Sequence, residues 1–129
     1  MEPPKDKLKA DLALLERAIA TLEVVLKEPF TEIVRDASIQ RFEYCFELAW
    51  KTLQVSGDYM GHVCNSPREA IRYGFKMGWI KSPDDWFEAM EARNRTSHVY
   101  NPVIAQEVYE IAKKFPSLIH EIIHQISKV

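Results

Sequence analysis

An arginine, a histidine and a tyrosine lie within eight residues of one another, in the segment Arg93–Tyr100 (RNRTSHVY). The guanidinium group of Arg93 presents a planar fork of N–H donors that suits a phosphate. The imidazole of His98 can take up or release a proton near neutral pH. Cleavage of RNA by its own 2′-hydroxyl needs these two functions, a proton-transfer group and a fixed positive charge for the developing phosphorane. That route requires no metal.

The same segment is also compatible with a purely structural role. Arg93 would then pair with an acid such as Glu88 or Glu91. His98 would cap the end of a helix, where a cation is favoured. An arginine followed five positions later by a histidine arises easily by chance, so the pattern alone leaves both interpretations open.

Two other patterns contain metal-ligand residue types. The segment His120–His124 (HEIIH) matches the HExxH motif of zinc proteases. At about 100° per residue, however, both histidines project away from the helix face that holds Leu118 and Ile122, and no further ligand follows them. His62 and Cys64 have no matching second pair, which a structural zinc site needs. We therefore expect solvent-exposed histidines and no metal site.

Charged side chains line one predicted helix at positions Arg41, Glu43, Glu47 and Lys51. They are compatible with a polar groove or with a solvated helix face. Alternating charges on a bundle helix usually serve solubility, so we expect the solvated face. Cys45 lies in the same helix within an apolar run, which predicts a buried, reduced thiol.

Composition and charge narrow the class of protein. The chain has 129 residues and a net charge of −2, which predicts one domain over residues 1–129. Because no global positive field would attract nucleic acid, any RNA contact must be local. The sequence shows no signal peptide and no apolar run of about 18 residues, so we expect a cytoplasmic protein with no membrane partner.

Helical periodicity runs through nearly the whole chain, whereas strand signals are weak. After a short lead-in over residues 1–7, a first helix is predicted to end at Pro29 and a second to span Thr31–Val55, with Gly57 as its stop. Ser66 and Ser82, each followed by proline, predict the starts of two shorter helices, and Asn101 predicts the start of the last. The predicted fold is all-α, an antiparallel four-helix-type bundle with an additional short helix.

Two sequence blocks carry a resemblance to a known family. The stretch Arg93–His98 (RNRTSH) resembles the R-[polar]-x3-H signature of HEPN domains, and its extension to Tyr100 is similar to the longer form in the HepT-like branch. The block Arg41–Lys51 (RFEYCFELAWK) resembles the second-helix hallmark of nucleotidyltransferase substrate-binding proteins. Ser66–Ala70 and Trp79–Trp86 are also similar to that group. The resemblance covers nearly the whole chain.

This resemblance implies a two-component system of the toxin–antitoxin kind. Such proteins are partners of a separate minimal nucleotidyltransferase that is usually encoded beside them. In HepT-like toxins the positions matching Arg93 and His98 cleave RNA without a metal in a site shared by a homodimer, and the position matching Asn94 supports that site. The position matching Tyr100 receives AMP from the transferase, which silences the toxin. We expect Arg95 to add a phosphate contact.

The sequence therefore predicts a HEPN toxin-like subunit that is a metal-independent endoribonuclease without a cofactor. Its expected partners are a nucleotidyltransferase, an RNA or nucleotide, and a second copy of itself. The alternative is a non-catalytic nucleotide- or substrate-binding subunit, as an older interpretation of the group holds. The homodimer is also expected because Trp79, Trp86 and Phe87 offer more apolar surface than a small bundle easily buries.

Overall fold

Five α-helices account for most of the protein. The computed structural model describes residues 4–129, and this part of the chain contains no β-strand. The helices are α1 (Pro4–Leu26), α2 (Glu32–Tyr59), α3 (Pro67–Lys76), α4 (Pro83–Asn94) and α5 (Pro102–Ile126), with a 3-10 turn at Thr96–His98 between the last two. Within residues 4–129, no helix is both long and apolar enough to cross a membrane.

The four longer helices α1, α2, α4 and α5 run in alternating directions, and α3 lies in the connection between α2 and α4. Contacts between the helices fix these directions. Thr21 near the end of α1 contacts Arg41 in the first half of α2, while Lys7 and Asp58 line one pocket at the other end of this pair. Along α4 and α5 the ion pairs Arg95–Glu107 and Glu88–Lys114 follow one another in opposite directions. Leu8 near the start of α1 and Ile126 at the end of α5 also line one pocket. The predicted all-α antiparallel bundle with an additional short helix is confirmed.

Three of the four predicted helix starts carry the expected side-chain cap. Thr31, Ser66 and Asn101 each accept a hydrogen bond from a backbone N–H in the first turn of their own helix. Ser82 does not, since its hydroxyl donates to the Asp85 carboxylate at 2.7 Å. Proline at the first helical position still favours a helix start there.

Several predicted helix ends were wrong. α1 begins at Pro4 rather than near Leu8, and Met1–Pro3 lie outside the described residues. α2 continues past Gly57 to Tyr59, and the glycine that follows it in a left-handed conformation is Gly61, with φ of 83°.

Gly57 has a different role from the helix stop that was predicted. It is buried inside α2, and a Cβ atom there would lie 2.7 Å from the carbonyl oxygen of His62. The backbone N–H of His62 also donates to the Gly57 carbonyl at 2.7 Å. A glycine is therefore needed for the returning loop to pack directly on the helix.

An aromatic cluster fills the centre of the bundle. Phe42 and Trp86 contact Phe115 edge-on, with ring centroids 5.1 and 5.3 Å apart, and Phe46 lies beside them. All four rings are essentially inaccessible to solvent. Burial of each side chain contributes about 1.5–3 kcal/mol, so this cluster is a main source of the stability of the bundle.

The tryptophans do not form the exposed apolar surface that was predicted for a dimer. Trp79 and Trp86 are both buried in the core of a single chain. Phe87 is half-buried, and the guanidinium group of Arg68 lies over its ring at 5.3 Å. Phe75 of α3 is exposed. A homodimer therefore needs a different surface.

Candidate functional site

The segment Arg93–Tyr100 turns the chain from α4 into α5. α4 ends at Asn94, four residues before His98, which was expected to cap the end of a helix. The backbone N–H of His98 then donates to the Arg95 carbonyl at 2.9 Å, and the N–H of Asn101 donates to the His98 carbonyl at 3.1 Å. These bonds make the segment a compact turn that leads into the capped start of α5.

The guanidinium group of Arg93 faces α2 and pairs with Glu47. Its Nε atom lies 2.6 Å from Glu47 Oε1, but the N–H is not aligned on an acceptor, so the contact is an ion pair rather than a hydrogen bond. The second oxygen of Glu47 accepts the Trp50 Nε1–H at 3.1 Å. Arg93 thus pairs with an acid, as the structural interpretation expected, but the acid is Glu47 of α2 rather than Glu88 or Glu91.

A second glutamate of α2 holds the turn that follows. The hydroxyl of Thr96 donates to the carboxylate of Glu43, and the hydroxyl oxygen also lies 2.8 Å from the Arg93 carbonyl oxygen. Glu43 and Glu47 are one helical turn apart, so both carboxylates face the segment. The segment is thus attached to α2 at two points.

The sequence reasoning missed these two glutamates as site residues. It predicted a solvated helix face, but Glu43, Glu47 and Arg41 are half-buried, and only Lys51 is exposed. Arg41 is also engaged, since its Nη1 donates to the Thr21 carbonyl of α1 at 2.6 Å. The sequence feature that could have indicated them is the spacing of four residues between Glu43 and Glu47, within the block Arg41–Lys51.

His98 and Tyr100 point away from the bundle. Their rings lie edge to face with centroids 6.2 Å apart. Both residues are exposed, and Tyr100 is the more so at 83%. Neither side chain forms a hydrogen bond with another residue in the described part of the chain, which leaves the imidazole and the phenol free to engage a ligand or a partner.

The remaining polar residues of the segment differ in how far they are engaged. Arg95 Nη1 lies 2.6 Å from Glu107 Oε2 of α5, whereas Asn94 is exposed at the end of α4. Within one copy of the chain, the positive charges of Arg93 and Arg95 are therefore each balanced by a glutamate. A phosphate that bound to either arginine would have to compete with that carboxylate.

The other candidate ligands lie apart from this segment. His120 and His124 are exposed, as predicted, and His120 Nε2 lies 3.2 Å from a Glu23 carboxylate oxygen. Among residues 4–129 no three potential metal-ligating side chains come together. Cys45 is buried as predicted, and burial raises the pKa of its thiol to about 12.

Comparison with known proteins identifies the family. The sequence profile of the family described as nucleotidyltransferase substrate binding protein like matches residues 10–128. The chain belongs to this family. The predicted resemblance to nucleotidyltransferase substrate-binding proteins is thereby confirmed. A search among curated protein sequences finds no significant match.

Two solved structures extend the comparison of this nucleotidyltransferase substrate-binding-like protein. A crystal structure from Thermus thermophilus is 30% identical with a TM-score of 0.81, covering 87% of this chain and 98% of its own. HI0074 from Haemophilus influenzae is 23% identical with a TM-score of 0.64, covering 95% and 98%. HI0074 is described as showing the fold of a substrate-binding domain of a nucleotidyltransferase, and this chain shares that fold.

Proposed function

We propose that this chain is the binding subunit of a two-component nucleotidyltransferase system and presents Tyr100 to a separate minimal transferase. The observation that carries this proposal is the exposed phenol of Tyr100, on a turn that Glu43 and the α5 cap hold in place. Membership of the substrate-binding-like family supports a transferase partner. In the transfer, the phenolic oxygen attacks the α-phosphorus of ATP, pyrophosphate leaves, and the phenolic proton passes to a base.

This proposal is tested by measuring the intact mass of the chain after incubation with ATP, Mg²⁺ and a minimal nucleotidyltransferase encoded beside its gene. The wild-type chain should gain adenylyl groups, and Tyr100→Phe should gain none. Tyr44→Phe is a matched control, because Tyr44 is also partly exposed but its hydroxyl is bonded to Thr21. An unmodified wild-type chain, or modification that persists in Tyr100→Phe, would contradict the proposal.

A second candidate function is metal-independent cleavage of RNA. It is favoured by the exposed imidazole of His98, which lies five residues beyond Arg93 and has no hydrogen-bond partner among the described residues. His98 would remove the 2′-hydroxyl proton, the 2′-oxygen would attack phosphorus, and the bond to the 5′-oxygen would break as that oxygen takes up a proton from water. The products are a 2′,3′-cyclic phosphate and a 5′-hydroxyl. Arg93 would stabilise the charge of the phosphorane after exchanging Glu47 for phosphate.

A homodimer would complete such a site. The support for it is the exposed apolar side chain of Val103 at the start of α5, 66% accessible and five residues beyond His98. A second copy packed on Val103 would bring two His98 side chains together and leave Tyr100 at the rim of their cleft. A bulky adenylyl group on Tyr100 would then block RNA access, as expected of a toxin silenced by its partner in the cytoplasm. Sedimentation that gives only the 15.0 kDa species at micromolar concentration would contradict the shared site.

The ribonuclease candidate is tested with purified protein and RNA in EDTA. The wild type should produce 2′,3′-cyclic phosphate ends, and His98→Ala should lose at least a hundredfold in rate, since general acid–base catalysis contributes about 10²–10⁴-fold. His124→Ala is the matched control, because His124 is an exposed histidine on α5 outside the segment. If RNA stays intact with micromolar wild-type protein, the ribonuclease candidate is excluded and only the binding-subunit function remains.

A further inference from the structure

A cleft of about 420 Å³ opens between α3 and the loop that follows α2. One wall is the ring of His62, which stacks on Tyr73 with centroids 4.2 Å apart and planes 5° from parallel. Tyr73 is buried and meets the edge of Trp79, with centroids 5.7 Å apart. Because His62 is exposed, one face of its ring is covered by Tyr73 and the other is free for a ligand.

The position of this ring is fixed by the backbone of the loop. The N–H of His62 donates to the Gly57 carbonyl at 2.7 Å, a contact that the missing Cβ of Gly57 permits. Further along, the carbonyl of Cys64 accepts Gln54 Nε2–H at 2.8 Å. Both ends of the loop are thus bonded to α2. A flat ligand would meet a preformed surface and lose little free energy in ordering the loop.

Two cations of α3 line the same cleft. Arg72 and Lys76 are exposed and one helical turn apart, and no carboxylate of the described residues forms an ion pair with either. Glu69 also lines the cleft, but its Oε2 accepts the Asn65 N–H at 2.6 Å. With Arg68, α3 has three positive residues and one negative one, a net charge of +2, in a chain whose total is −2.

We propose that this cleft binds a nucleoside phosphate, with the base stacked on His62 and the phosphate held by Arg72 and Lys76. A parallel aromatic platform beside cations is the arrangement that binds single-stranded nucleic acids. The ligand is a free nucleotide or one unit of a single-stranded RNA. Gly57 lies ten residues beyond Glu47 on α2, about 15 Å along the helix, so this site is separate from the Arg93–Tyr100 segment.

The test measures binding of two probes under conditions in which no cleavage occurs. The first is a fluorescent 2′-O-methyl oligoadenylate, followed by anisotropy, and the second is AMP, followed by calorimetry. His62→Ala should weaken binding at least fivefold, because stacking of one base contributes about that factor or more. The double variant Arg72→Gln/Lys76→Gln should weaken binding further. It should also lower the magnitude of the slope of log K against log salt concentration by about 1.4 for the oligonucleotide.

The matched control is Arg17→Gln/Lys27→Gln, which removes one arginine and one lysine from exposed positions in or next to α1. Affinity in this control should stay within about twofold of the wild type, because salt screens the attraction between the ligand and charges outside the cleft. Losses shared by both probes assign the cleft to free nucleotides, and losses seen only with the oligonucleotide assign it to RNA.

Three results would overturn the proposal. They are the absence of binding of both probes, equal losses in the cleft and control variants, and a loss confined to the charge variant with His62→Ala unchanged. The last would assign α3 to polyanions in general, such as an acidic protein face. Neither probe can be cleaved by a 2′-hydroxyl, so failure of this proposal is distinguishable from failure of the ribonuclease candidate.

Discussion

Removal of the negative charge of Glu47 should release Arg93 without dismantling the turn. Glu47→Gln keeps an amide oxygen that can still accept the Trp50 Nε1–H, which now lies 3.1 Å from a carboxylate oxygen. The substitution deletes only the attraction to the guanidinium group, whose Nε is 2.6 Å away. Thr96 would still hold the segment to Glu43.

The expected magnitude follows from the exposure of the pair. Two unit charges in contact near a protein surface attract by about 4 kcal/mol before desolvation and entropy are subtracted. The two side chains are 35% and 33% exposed, so solvent screens much of that attraction. We therefore expect a coupling free energy of about 1 kcal/mol, at the upper end of the range for exposed pairs.

The assay is a double-mutant cycle of Glu47→Gln, Arg93→Met and the double variant, with unfolding measured by urea and circular dichroism. Glu47→Gln alone should lower the melting temperature by about 3–5 °C. The coupling should shrink in 1 M salt, where the Debye length is about 3 Å. Glu28→Gln, at an exposed position after α1, is the matched control. A coupling below about 0.3 kcal/mol, or an effect equal to that of Glu28→Gln, would refute the reasoning.

Three further predictions concern parts of the structure outside this ion pair. Burial raises the pKa of Cys45 to about 12 and also raises that of Cys64, so Ellman's reagent at pH 8 should label neither thiol until the chain is unfolded. The pKa of a thiol in the unfolded chain is about 8.5. The stability that burial of Cys45 provides should therefore be complete below about pH 8.5 and decrease as the pH rises toward 12. Urea unfolding midpoints measured across this pH range would show the decrease. Gly57→Ala should destabilise by about 1–3 kcal/mol because its Cβ would lie 2.7 Å from the His62 carbonyl oxygen, measured by urea unfolding against Ala13→Gly as an exposed helical comparison. Asn101→Ala should cost about 1 kcal/mol through loss of the α5 cap, whereas Asn101→Ser should retain most of it; equal losses would contradict the capping argument.

Local rules were sufficient to predict most of the fold. Thr31, Ser66 and Asn101 carry the capping chemistry within their own first turns, so no distant contact is needed to find those helix starts. The predicted end of α2 was wrong because glycine has two different structural uses. Glycine usually ends a helix, but Gly57 is selected by the close approach of a loop that arrives five residues later.

The buried face of α5 shows a similar limit. The spacing of apolar residues in α5 predicts a core-facing stripe of seven positions: Ile104, Val108, Ile111, Phe115, Leu118, Ile122 and Ile126. Val108, Phe115, Ile122 and Ile126 are buried as this spacing predicts, whereas the other three positions are only half-buried. Ala105, Ala112 and Ile119, each one residue later than a half-buried position, are also fully buried. Periodicity thus predicts the apolar face, but its exact rotation depends on which helices pack against it.

Charge balance at the site is the part that only the assembled bundle reveals. A sequence indicates which residues carry charge, but the carboxylate that pairs with Arg93 comes from position 47, a separation of 46 residues along the chain. The same holds for Thr96 and Glu43. The two glutamates neutralise and orient the segment in one copy of the chain, while His98 and Tyr100 stay exposed. An anion that bound Arg93 would have to displace Glu47. In the proposed site the ion pair would therefore control how readily phosphate binds, which makes Glu47 a residue to vary alongside the segment itself.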